Sequence, residues 1–172
     1  MVKSALTIEE LPNSILKNFY QYWLRMKGSR SMPSRSNLNP ADITPLLPNI
    51  VLVDVEQDPR RYRVRLLGTE TVKVLGEDCT GRYLDDLTML GSIVKKRYEW
   101  LVVEKKPYFY RGNMKNADKP YIEYMGVAMP LSSNGVDVDI LMVGIHYQYT
   151  GGRQEILPPY NPEDLGIYPL EG

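Results

Sequence analysis

"IVLVDVEQDPRRYRVRLLG", residues 50–68, places two runs rich in β-branched and apolar residues on either side of Gln57-Asp58-Pro59-Arg60. Asp58 and Pro59 suit the first two positions of a type I turn, so the stretch reads as an antiparallel hairpin. Strand side chains alternate between faces, which puts Tyr62, Val64 and Leu66 on one side and Arg61, Arg63 and Arg65 on the other. Three arginines in register invite phosphate binding. A solvated outer face whose charge discourages edge pairing is the simpler reading.

Downstream, "TETVKVLG" (69–76) reads as a short helix capped by Thr69 and stopped by Gly76, and "GRYLDDL" (81–87) supplies another turn. A longer helix is expected within "LTMLGSIVKKRYEWLVVEKK" (87–106), where Leu90, Ile93, Val94, Leu101 and Val102 form an apolar stripe and Pro107 marks the end. Three strand-like stretches follow: "PYFYRG", "PYIEYMGVAMPL" and "VDVDILMVGIHYQY". The last two are joined by "SSNG", whose Asn134 and Gly135 suit a tight hairpin. Alternation in the last stretch sets Val136, Val138, Ile140, Met142 and His146 against Leu141, Val143, Ile145 and Tyr147, so both faces of the sheet need cover.

Upstream, "TIEELPNSILKNFYQYWLRMKGS" (7–29) is a helix with its own punctuation: Thr7 and Glu10 resemble a capping box, Asn13 or Ser14 caps a restart after Pro12, and Gly28 stops it. Ile15, Leu16, Phe19, Tyr20, Trp23 and Met26 recur every three or four residues, a broad apolar face that must pack on something. It covers either its own sheet or a second copy of the chain, with Phe19, Tyr20 and Trp23 as the contact residues in the latter case. "NLNPADITPLLPNI" (37–50) links helix to hairpin, with Asn39 as a cap, Pro40 at the first helical position, and Pro45 and Pro48 limiting the helix to a turn or two.

The chain has 172 residues, 21 basic against 21 acidic side chains, one histidine and one cysteine. That length fits one principal core. The predicted organisation is an amphipathic helix over 1–30, a domain over 31–150 and a Pro/Gly-rich extended tail over 151–172. With no net charge there is no global attraction for nucleic acid. A single cysteine precludes an internal disulfide and a Cys/His zinc cluster. The N-terminus does not read as a signal peptide, and the longest apolar run, "ILMVGI", is far too short to span a bilayer. A cytoplasmic protein without membrane or nucleic-acid partners is expected.

Strand, strand, short helices, longer helix and three antiparallel strands is the element order of a PAS domain. "YWLRMKGSRSMPSRSNLNPADITPLLPNIVLVDVE", "RYRVRLLGTE" and "LGEDCTGRYLDDL" resemble a bacterial family of stand-alone PAS-like proteins, over roughly residues 18–149. The resemblance implies an α+β fold: a five-stranded antiparallel sheet with helices on one face around a space for a ligand, here with the N-terminal helix on the other face. It also implies sensing or partner contact as the role, with a signalling protein as partner and, as options, a homodimer through the N-terminal helix and a small-molecule ligand.

No cofactor is required by the sequence. Flavin-binding PAS domains carry the Gly-x-x-Cys spacing that Gly76 to Cys79 reproduce, but the flanking Asn and Arg and the full late-strand Asn/Gln set are missing, so Cys79 reads as a small buried side chain rather than a photochemical or redox thiol. His146, the lone histidine, lies in a strand and reads as structural. Asp85 and Asp86 are adjacent and do not form a catalytic pair. The residues expected to bound the PAS cavity are Tyr83, Tyr98, Trp100, Tyr108, Tyr110, Tyr124, Met142 and His146. The function expected is a non-catalytic sensory or adaptor module; the alternatives are a ligand-free interaction domain and a small enzyme on an NTF2-like cone.

Overall fold

The computed structural model describes residues 5–114, 117–150 and 165–171. Helix α1 (Ser14–Lys27) is followed by a 3-10 run over Pro40–Asn49 and the hairpin of β1 (Ile50–Glu56) and β2 (Arg61–Leu67). Then come α2 (Thr69–Leu75), two single 3-10 turns, α3 (Ser92–Glu104) and the strands β3 (Tyr108–Met114), β4 (Lys119–Leu131) and β5 (Ile140–Tyr149). A short β6 (Ile167–Pro169) completes one antiparallel sheet in the order β2-β1-β5-β4-β3-β6. Its first five strands are the predicted layer. The sixth comes from the expected tail, whose residues 151–164 lie outside the described residues.

Thr7 and Glu10 form the predicted capping box, Asn13 Oδ1 accepts from the Leu16 amide at 3.0 Å, and Gly28 ends α1 at a φ of 57°. The apolar face of α1 lies on the back of the sheet, where Leu16, Phe19, Tyr20 and Trp23 pack with Leu52, Val127, Met129 and Met142. Phe19, Tyr20 and Trp23 are each 1% exposed or less. They are therefore contacts within the chain, and the expectation that they form a dimer surface is corrected: a face already buried on its own sheet has nothing left to offer a second copy.

Two details fix the helix in place. Trp23 Nε1 donates to the Pro130 carbonyl at 2.9 Å. Proline can sit there because the pairing of β4 with β3 stops at Ala128, leaving the next stretch of β4 without a strand partner on that side among the described residues. On β5, the Phe19 ring rests where a side chain would begin at Gly144: a Cβ there would come within 2.3 Å of it.

Four sequence expectations are modified. The 57–60 turn departs from type I, with Asp58 at a φ of 54° and a cis bond to Pro59. A β-bulge opposite Leu52/Val53 breaks the alternation of β2, so Leu66 turns outward to 41% exposure, while Leu67 is half-buried. α2 is capped by Gly68 rather than Thr69; a Cβ at Gly68 would meet the Pro48 carbonyl oxygen at 2.3 Å. The last strand starts at Ile140 because Asn134 and Asp139 carboxamide and carboxylate oxygens accept from the amides of Val136, Asp137 and Ser133, folding 132–139 into a compact loop instead of a tight hairpin. Val136 is consequently 60% exposed, and Val138 joins the cluster on the opposite face from Met142.

The described ends of the chain meet at the β3 edge. Leu6 forms a parallel bridge with Leu170, through Leu6 N to Pro169 O at 2.7 Å and Glu171 N to Leu6 O at 2.9 Å. The Tyr20 hydroxyl donates to the Glu171 carbonyl, tying the same segment to α1.

Candidate functional site

The other face of the sheet does not close on the helices. Between it and α2, α3 and the 84–91 turns lies a cavity of about 920 Å³, near the upper end of the range that small-molecule sites occupy. Val51 and Val53 of β1, Val64 and Leu67 of β2, and Leu75, Ile93 and Val94 of the helices supply apolar walls. Tyr98 of α3, Tyr108 and Tyr110 of β3, Tyr124 of β4 and Tyr147 of β5 supply an aromatic wall.

Cross-strand glycines shape that aromatic wall. Tyr110 pairs with Gly126 and Tyr124 with Gly112. A Cβ at Gly126 would lie 2.5 Å from the Tyr110 ring, and one at Gly112 would lie 2.4 Å from the Tyr124 hydroxyl oxygen. Each ring therefore lies over bare backbone on the neighbouring strand, an arrangement that pins its direction. Tyr110 also meets Tyr108 at 5.7 Å and Tyr124 at 5.9 Å between ring centroids.

The buried charged group among the described residues of the lining is Arg97, on α3 and 6% exposed. Its Nε donates to the Leu165 carbonyl at 2.8 Å, Nη1 to the Tyr124 hydroxyl at 3.2 Å, and Nη2 to the Arg111 carbonyl at 3.4 Å. The guanidinium carbon stands 5.0 Å from the Tyr110 ring centroid. All of these partners are neutral. The Tyr108 hydroxyl is buried without a hydrogen-bond partner among the described residues.

Burial pushes the Tyr98, Tyr108 and Tyr110 hydroxyls well above the ordinary tyrosine range, and holds Tyr147 up at about 12, so all four are neutral hydroxyls across physiological pH. Tyr147 donates to Thr71 Oγ1 at 3.0 Å. Cys79 lines the cavity near Val64 and Leu87, fully buried. Burial, then the nearby Glu77, push its thiol up, away from the thiolate that redox or nucleophilic chemistry needs.

Of the residues expected at the cavity, Tyr98, Tyr108, Tyr110 and Tyr124 line it together. Trp100 does not; it packs edge-on against Tyr108 at 5.6 Å and supports the wall from behind. Tyr83 stands at the outer end of β2, its ring 3.5 Å from the Arg61 guanidinium carbon and its hydroxyl 3.0 Å from the Glu56 carboxylate. Met142 belongs to the α1 side of the sheet, since β5 alternates and the cavity takes Ile145 and Tyr147. His146 shares Met142's side by the same alternation, half-buried and opposite Met125 in register.

The outer arginines of β2 are engaged locally, Arg65 with Asp54 at 3.0 Å and Arg63 Nε with the Gly81 carbonyl at 3.1 Å. Among the described residues no cluster of His, Cys, Asp or Glu is arranged to hold a metal ion, and no helix is long and apolar enough to cross a membrane.

Sequence reasoning missed Arg97, Tyr147 and Thr71. The signal for Arg97 was present: it stands midway between Ile93 and Leu101 at four-residue spacing, a charge inside a buried helical stripe.

A search of the curated proteins finds no match. The family model described as PAS domain matches residues 12–106, from the turn before α1 to the residues just after α3, which is more than half of the chain. With the antiparallel sheet, its strand order and the helices inserted between β2 and β3, the chain belongs to the PAS domain family.

Proposed function

We propose that this protein is a non-catalytic sensory module that takes a small ligand between α3 and the sheet and passes its occupancy to a signalling partner. The observation that carries this reading is the cavity of about 920 Å³ with, in its lining, a buried guanidinium and a buried hydroxyl that has no partner among the described residues. A domain with a filled core has no reason to leave such groups beside open space, because unsatisfied buried polar groups cost stability. Ligand binding acts on output only by favouring one arrangement of the fold over another. The elements placed to respond are α3, which lines the cavity, and the 165–171 segment, whose Leu165 carbonyl Arg97 holds.

The test is mass spectrometry of small molecules released from gently purified protein, with an ultraviolet-visible spectrum and a thermal-shift screen. Release of a stoichiometric compound that restabilises the stripped protein is the expected result. Val94→Trp, which fills the cavity from α3, is expected to abolish that binding while leaving the circular dichroism spectrum unchanged. A stripped protein that nothing stabilises, with Val94→Trp raising its melting temperature, would instead identify a ligand-free interaction domain.

A further inference from the structure

We infer that the cavity takes a monocarboxylate with an apolar body, the carboxylate seated on the Arg97 guanidinium. This rests on the ligand-binding reading above and names the class of guest. A guanidinium has five N–H donors and keeps its positive charge. Leu165, Tyr124 and Arg111 accept from three of the five at most, the last at a long 3.4 Å, so two have no acceptor among the described residues. None of the ion pairs among the described residues includes Arg97. A cation buried with only neutral dipoles around it is costly, and an anion delivered to it recovers that cost.

The rest of the lining fixes the guest's charge and body. Among the described residues no Asp, Glu, Lys or His lines the cavity, and the other arginine there, Arg111, is exposed, so their buried part of the site carries a single positive charge. One carboxylate matches it with two oxygens against the guanidinium fork. A phosphate dianion would leave a net negative charge in an apolar enclosure. Val51, Val53, Leu67 and Ile145 then contact a body without polar groups. Tyr108, on the same face of β3 as the Tyr110 ring beneath Arg97, offers as a second donor its hydroxyl, which has no partner among the described residues.

The experiment is calorimetric titration of the purified, ligand-stripped full chain with octanoate and 4-phenylbutyrate, their alcohols 1-octanol and 4-phenylbutan-1-ol, and octyl phosphate. The acids are expected to bind about tenfold or more tighter than the alcohols. Arg97→Gln, which removes the charge, is expected to erase most of that preference while leaving alcohol binding in place, and Tyr108→Phe to weaken the acids less. Should Arg97→Gln fail to fold, the acid-against-alcohol comparison on the unaltered chain decides. Alcohols binding as tightly as acids, or octyl phosphate binding tighter than either acid, would overturn the monocarboxylate assignment and leave ligand binding standing. Absence of binding by every probe, with nothing released from the purified protein, would remove both readings.

Discussion

Three rings set against three glycines show how single atoms hold this fold. Gly144→Ala places a methyl within 2.3 Å of the Phe19 ring and is expected to destabilise by about 1–3 kcal/mol in chemical denaturation. In a Phe19→Ala background the same change is expected to cost far less, because the two side chains compete for one space. Trp23→Phe keeps most of the ring and loses the bond to Pro130, which should cost about 1–2 kcal/mol. Alkaline pH acts on the hydroxyls. Burial raises Tyr20 and Tyr147 to about 12, so they stay protonated in the folded state while the unfolded chain ionises near the ordinary value of 10.0. Their contribution is therefore intact below pH 10 and is lost as pH rises toward 12. Tyrosinate absorbance should rise in a cooperative unfolding step above pH 10, as Tyr20 and Tyr147 are released from burial and ionise.

At the scale of elements, β6 closes the β3 edge through the Tyr108–Pro169, Phe109–Tyr168 and Tyr110–Ile167 pairs. Deleting 165–172 is expected to speed amide exchange over 108–110 and to promote concentration-dependent association through the bared strand, read by exchange mass spectrometry and light scattering. This strand also marks a limit of sequence reading. The two hairpin regions, the helix between them and the punctuation of α1 were legible, because alternation, capping residues and terminal glycines act within a few positions. Three residues of Ile-Tyr-Pro after a Pro/Gly-rich stretch carry no such local pattern, and their strand state comes from the edge they meet. The cavity was half legible for the same reason. Parity grouped Tyr108 with Tyr110, but it did not say which face of β5 looks inward, and Met142 and His146 were placed on the wrong one.

Across the whole molecule the sheet separates two unlike halves, a packed core under α1 and an open space under α3, and Arg97 links the second to the C-terminal segment. Its Nε holds the Leu165 carbonyl, and its Nη2 stands 3.3 Å from where a Cβ of Gly166 would be. Arg97→Met is expected to loosen 165–171 first, so that exchange accelerates there and at β3 while the α1 core keeps its protection. The Leu6–Leu170 bridge adds a mechanical property. Because the two short segments run parallel, stretching the molecule by its two ends slides them past each other, and the hydrogen bonds on either side of Leu6 bear the force together instead of opening one after another. The joined ends thus form a shear clamp, and tension applied from either terminus reaches the same edge of the sheet.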